Sequence, residues 1–144
     1  MTRRMAGTLT RIAVLGVVLL TQSAPAAEPA KKLKIGISVP SATHGWTGGV
    51  VWSANRAKKL LEQENKDVEV IVTTGATTAE QADRIENLIA RKVDALVMLC
   101  QEPGPLTPVC ERAKEQGIYL VIVSNPLLKP IHDHFVNGDN RSLG

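Results

Sequence analysis

The sequence predicts a doubly wound α/β fold built on a parallel sheet, and three observations predict it. Short β-branched runs alternate with longer stretches of helical periodicity over residues 33–137. The helical stretches run to between ten and nineteen residues, which suits right-handed crossovers between parallel strands rather than hairpins. One run, Asp94-Ala-Leu-Val-Met-Leu99, is apolar almost throughout, the pattern of a central strand covered on both faces.

Each element follows in order. Leu33-Lys-Ile-Gly-Ile-Ser-Val39 reads as the first strand, ended by Pro40, which lacks an amide to donate to the ladder. From Trp46 to about Glu64 a helical stripe of Val50, Ala54, Ala57 and Leu61 faces a core, while Lys58, Lys59, Glu62 and Glu64 point elsewhere. Val68 to Val72 is the second strand. Thr77-Thr-Ala-Glu80 has the spacing of a capping box, and the helix it opens carries Ala82, Ile85, Leu88 and Ile89 on one side as far as Arg91. After the central strand, Leu106 to Gln116 reads as a helix stopped by Gly117, with Pro105 and Pro108 near its start, where a missing donor is tolerated. Ile118 to Val123 is the fourth strand, and a short fifth runs from Asp133 to about Asn137.

With 144 residues, the chain is expected to form one domain. A hydrophobic fraction of 44 % and charged residues at 22 % fit neither a disordered nor a multi-span membrane chain. Aromatic residues make up 3 %, too few for a stacking platform that binds nucleic acid. The net charge of +3 comes from Arg3, Arg4 and Arg11 alone. These precede the apolar run Ile12–Leu20, too short to span a bilayer, and then Ala24-Pro-Ala26, together the pattern of a cleavable secretory signal over residues 1–27. The remaining chain balances 14 basic against 14 acidic residues, so nothing in its charge points to nucleic acid. A periplasmic location follows, with no stable membrane insertion after cleavage. The alternative is an apolar segment that stays attached as an anchor.

In an open parallel sheet, ligands bind outside the carboxyl ends of the strands. The informative segments are therefore 40–48, 73–78, 100–105, 124–130 and 138–141. No Gly-x-Gly-x-x-Gly follows the first strand and no phosphate-cradling Gly-x-x-x-x-Gly-Lys occurs, so neither a dinucleotide nor another phosphate cofactor is indicated. A hydrolase elbow, Gly-x-Ser-x-Gly, is also missing. Cys100 and Cys110 are either a disulfide or two buried thiols; helix-to-sheet spacing of about 10 Å argues against the bridge. His132-Asp-His134 is either half of a metal site or a solvated loop, with no third ligand adjacent.

The most telling segment is Pro40-Ser-Ala-Thr-His-Gly-Trp-Thr-Gly-Gly49. With Ala-Glu-Gln-Ala82, Ile85-Glu-Asn-Leu-Ile89, Val93-Asp-Ala95, Leu106-Thr-Pro108 and Asp139-Asn140 in this order, the chain resembles the N-terminal lobe of periplasmic sugar-binding proteins of ABC importers, the ribose-binding type. The resemblance covers residues 28–144 and implies a periplasmic-binding-protein-like lobe with flavodoxin-like strand order, no cofactor and no catalysis. It implies two partners, a sugar or polyol and the permease of an ABC transporter. The same lobe also resembles the ligand domain of LacI-type repressors, but a secretory signal stands where a DNA-binding headpiece would be.

A sugar presents hydroxyl groups around an apolar C–H face, so its site needs a flat aromatic ring and several hydrogen-bonding groups. Trp46 is the candidate ring, with a staple or lobe-interface contact as its alternative role. Ser41, His44, Thr47, Glu102, Asn125, Asp139 and Asn140 are the candidate hydrogen-bonding residues. His44 also suits a plain turn. The resemblance includes one departure: the Asp-Arg pair that grips sugar hydroxyls in many relatives is Ser124-Asn125 here, which leaves room for a polyol or another small polar solute. The lobe looks incomplete, since a fifth strand normally leads into a helix that covers the sheet. One lobe encloses little of a solute, so millimolar or weaker binding is expected, on the order of 4 kcal/mol. Two alternatives are a periplasmic sensor that presents ligand to a chemoreceptor or histidine kinase, and a small hydrolase using Ser41, His44 and Asp139.

Overall fold

The computed structural model describes residues 31–138. Five parallel strands, β1 (Leu33–Pro40), β2 (Val68–Gly75), β3 (Ala95–Leu99), β4 (Tyr119–Val123) and β5 (His134–Val136), form one sheet in the order β2-β1-β3-β4-β5. Three helices connect them: α1 (Gly45–Glu64), α2 (Thr78–Ala90) and α3 (Pro103–Glu115). The chain steps one way from β1 to β2 and then back past β1 to β3, so the topological switch point lies between β1 and β3. The predicted elements and the strand order of the predicted class are thus observed. The predicted export signal over residues 1–27, and Asp139 and Asn140, lie outside the described residues. None of the described helices is long and apolar enough to cross a membrane.

The two faces of the sheet differ. Under α2 and α3, Ile85, Leu88, Leu96, Met98, Leu106, Leu120 and Ile122 are sealed from solvent and form one continuous core. Under α1 the core is smaller: Ile37, Val39, Ala54, Val70 and Leu99. α1 packs along β1 and β2, so Ala95 and Val97 of β3 and Val121 and Val123 of β4 are only half-buried. This corrects the expectation that β3 is covered on both faces: its position is central, but its α1 side is only partly roofed. An apolar run cannot reveal this, because composition does not record where a neighbouring helix lies.

Helix termini show how local chemistry sets the frame. Thr77 caps α2 by accepting from the Glu80 amide at 3.2 Å. The returning arm of the predicted box is displaced by one residue, Glu80 Oε2 accepting from the Ala76 amide at 2.9 Å. α3 begins at Pro103, three residues before the apolar stripe, because Pro103 and Pro105 fit a first turn whose amides have no intrahelical acceptor. Pro108 falls inside the helix. Gly117, at φ +78, takes the left-handed conformation that ends it.

Both thiols are free and buried. Burial pushes the Cys100 thiol up to about 11 and the Cys110 thiol up to about 12, and Cys110 Sγ lies 4.0 Å from Met98 Sδ. The two histidines engage different neighbours: His134 meets Tyr119 edge-on at 5.8 Å, and His132 rests against Phe135 at 5.6 Å. Among the described residues no group of three potential ligands converges on a metal position.

Two aspartates tie strand starts to their surroundings. Asp94 accepts from the Lys34 amide at 2.8 Å and from Lys31 Nζ at 2.9 Å. Asp133 accepts from the Leu120 amide at 2.7 Å and from Lys114 Nζ at 2.6 Å. The backbone amide first, and then the lysine, hold each carboxyl below its ordinary value of 3.8. A carboxyl depressed in the folded state favours folding above that ordinary value, and the contribution fades as the pH falls toward the folded-state value. Thermal melts from pH 7 to pH 3 are therefore expected to show a decline beginning near pH 4, shallower in Asp133→Asn because one contributing group is gone. An identical acid limb in the variant would contradict this linkage.

Candidate functional site

The carboxyl ends of the strands form one edge, and the loops that leave it carry the candidate residues. Ser41 follows β1, half-buried, its amide donating to the Gly75 carbonyl at 2.9 Å and so joining the ends of β1 and β2. His44 is exposed and extended at the N-cap of α1. Trp46 stands in the first turn of α1 and is 57 % exposed. Glu102 is exposed at the N-cap of α3 and makes no side-chain capping bond, which leaves its carboxylate available. Asn125 is exposed after β4.

Two of these side chains already have structural partners. The Thr47 hydroxyl, buried, accepts from the amides of Thr43 at 3.1 Å and His44 at 3.2 Å and donates to the His44 carbonyl at 3.0 Å. It holds the turn that presents Trp46, and its hydrogen-bonding capacity is spent there. Asn125 Nδ2 donates to the Cys100 carbonyl at 2.8 Å, tying the loop after β4 to the loop after β3 and leaving Oδ1 as its open acceptor. The preceding Ser124 adopts φ +64, an uncommon conformation for a non-glycine residue, and its amide donates to the Val136 carbonyl at 2.8 Å.

Sequence reasoning missed Gln81, Gln101 and Thr107. Gln81, fully buried, donates from Nε2 to the Leu99 carbonyl at 2.8 Å and accepts at Oε1 from the Gln101 amide at 3.1 Å. Thr107 Oγ1 donates to the Pro103 carbonyl at 2.6 Å and accepts from the Leu128 amide at 3.1 Å, which anchors the segment after β4 to α3. The available signal was spacing: Gln81 lies one helical turn before Ile85, on the face already assigned to the core.

The loops 41–44, 76–77 and 100–102 contain Glu102 as their one carboxylate and neither Lys nor Arg, and the segment 124–130 contains Lys129, whose Nζ is paired with Glu111 Oε1 of α3 at 2.5 Å. Such an edge suits neutral hydroxyl groups, or a cation, better than an anion. Beside it, on the α1 face, an apolar groove of about 670 Å³ runs between α1 and the sheet, lined by Trp46, Val50, Trp52, Val97, Leu99 and Val123 among others. Trp52 is 62 % exposed and carries the Arg56 guanidinium 5.5 Å over its ring. Trp46 thus borders both the polar edge and the groove, while Ser41, His44, Thr47, Glu102 and Asn125 do not line the groove.

Known proteins share this architecture. The fructose-binding periplasmic domain of a hybrid two-component system is 22 % identical with a TM-score of 0.66, over 77 % of this chain and 36 % of that one. A solute-binding protein of an ABC transporter from Clostridium phytofermentans, solved with β-D-glucose bound, is 20 % identical with a TM-score of 0.67, over 76 % and 33 %. A periplasmic ribose ABC transporter protein from Conexibacter woesei is 19 % identical with a TM-score of 0.66, over 79 % and 37 %. The chain spans about a third of the length of these structures. No curated protein matches the sequence. The family described as periplasmic binding protein domain matches residues 35–144; together with the parallel sheet ordered β2-β1-β3-β4-β5, that match makes the chain a member of the periplasmic binding protein family.

Proposed function

We propose that the chain is the N-terminal lobe of a solute-binding protein that captures a sugar, polyol or similar neutral polar solute in the periplasm and delivers it to the permease of an ABC importer. The observation that carries this reading is the exposed Trp46 at the carboxyl edge of a family-typical sheet, beside Ser41, His44, Glu102 and Asn125, with Lys129 of the loop after β4 paired to Glu111. The indole offers an apolar plane for a sugar's C–H face, and the hydroxyl, amide and carboxylate groups match its hydroxyls. Asp139 and Asn140 belong to the same proposed set. The apolar run after Arg11 is the proposed export signal. Neither a cofactor nor a catalytic step enters this mechanism: the lobe binds and releases.

Trp46→Ala tests it. Tryptophan fluorescence of the 144-residue chain titrated with D-ribose, D-glucose, D-fructose and glycerol should show a weak saturable response to at least one of them. The variant is expected to lose about ten-fold or more in affinity, as befits a central aromatic contact, without a matching loss of melting temperature. Equal affinity in the variant would assign Trp46 to the groove instead of the solute. A second reading has one observation in its favour, the fructose-binding domain of a two-component system among the similar structures: the lobe would then signal to a receptor. Capture of a permease rather than a receptor from solubilised membranes separates the two.

A further inference from the structure

We propose that Gln81 is a positioning residue for the ligand-facing edge, its buried carboxamide setting the loop after β3 relative to the end of β1. This rests on the solute-binding reading above only for the use to which the edge is put; the positioning itself stands on geometry. Gln81 is sealed from solvent within a helix face otherwise made of Ile85, Leu88 and Ile89. An apolar side chain would fill such a place without the loss of hydration that a carboxamide suffers. The amide recovers that loss by joining three points of the frame: Nε2 donates to the Leu99 carbonyl at 2.8 Å and approaches Ser38 Oγ at 3.4 Å, and Oε1 accepts from the Gln101 amide at 3.1 Å. The orientation is unambiguous, because a nitrogen must face the carbonyl and an oxygen must face the amide.

Those three points matter for where they lie. Ser38 is the β1 residue three before Ser41, Leu99 ends β3, and Gln101 immediately precedes Glu102. Asn125 continues the belt by donating to the Cys100 carbonyl at 2.8 Å, and Gln101 Nε2 reaches the Ala76 carbonyl at 3.4 Å. Side-chain amides therefore link the carboxyl-terminal parts of four strands across the switch point: Ser38 is the last β1 residue paired with β3, Leu99 is the last β3 residue paired with β4, and Ala76, Gln101 and Asn125 follow their strands. The Gln101 amide has the Gln81 carboxamide as its partner, so releasing that bond exposes this amide and leaves the segment that carries the Glu102 carboxylate held by the Cys100 carbonyl and the Gln101 side chain.

Amide hydrogen exchange on the 144-residue chain tests this. In Gln81→Met, which preserves length and burial, exchange at the Gln101 amide is expected to rise at least ten-fold relative to the Leu96 and Leu120 amides of the core. An unchanged ratio would overturn the proposal. If the Met variant fails to fold, Gln81→Glu decides, since it keeps the acceptor and loses the donor: Gln101 should stay protected while the Leu99–Cys100 peptide shifts in the NMR spectrum, and loss of Gln101 protection in this variant counts against the assignment. The functional arm uses whichever of D-ribose, D-glucose or D-fructose binds the parent. A positioning role raises the dissociation constant ten-fold or more at a temperature well below melting, whereas a merely structural one lowers the melting temperature and leaves the constant in place. If the parent binds neither these three nor glycerol, the solute reading fails, and the exchange ratio still decides the role of Gln81.

Discussion

Gly75→Ala is expected to destabilise the fold by about 3 kcal/mol, the upper part of the range for forcing an extra methyl group into a packed interior. A Cβ on Gly75 would lie 2.6 Å from the Gln81 backbone nitrogen and 2.8 Å from its Cα. Neither atom can turn aside, because both belong to the first turns of α2. Relief requires moving the helix away from the end of β2, which also pulls on the Ser41 amide that donates to the Gly75 carbonyl at 2.9 Å. Gly36→Ala is the informative contrast. Its new Cβ meets Leu88 Cδ1 at 2.9 Å, the far end of a flexible side chain, so the loss should be nearer 1 kcal/mol. Urea denaturation monitored by circular dichroism checks both, and a midpoint for Gly75→Ala equal to that of Gly36→Ala would show that α2 yields easily.

The second large effect is expected at Leu106. Truncation to Ala should lower the unfolding free energy by about 2 to 5 kcal/mol, the transfer loss being joined by the cavity left behind. Leu106 is sealed from solvent and belongs to the same core as Leu96, Leu120 and Ile122. It is also the first apolar anchor of α3, four residues after Glu102 and next to Thr107, whose hydroxyl receives the Leu128 amide. The loss should therefore be felt in the loops after β3 and β4 before it reaches the remote strand β2. Chemical denaturation measures the total, and hydrogen exchange at Leu128 against Val72 measures its distribution. A loss under 1 kcal/mol, or equal effects at the two amides, would mean that the core repacks around the gap.

Residues speak unequally through sequence. The strands, the three helices and the Thr77 cap were legible because period, β-branching and capping chemistry are local properties, set within a few residues of chain. The candidate edge was legible for a related reason: a parallel sheet delivers the loops that follow its strands to one side, whatever their composition. Within that edge, however, Thr47 and Asn125 look in sequence like free hydrogen-bonding groups, and in the fold their donors go to His44 and Cys100. Polar residue type states a capacity for hydrogen bonds; it does not say which neighbour will use it.

Periodicity and chain length were enough to establish the alternation of elements, the parallel sheet that such alternation requires and the edge at which its loops converge. Packing between distant segments decides that α1 lies along β1 and β2 and roofs β3 only in part, that Trp46 borders an apolar groove as well as the polar edge, and that Gln81 joins strand ends from within the core. The physical reason is one of distance along the chain: Gln81 and Leu99 are eighteen residues apart, and Ser38 and Gln81 forty-three, so their hydrogen bonds exist only once packing has brought separate elements together.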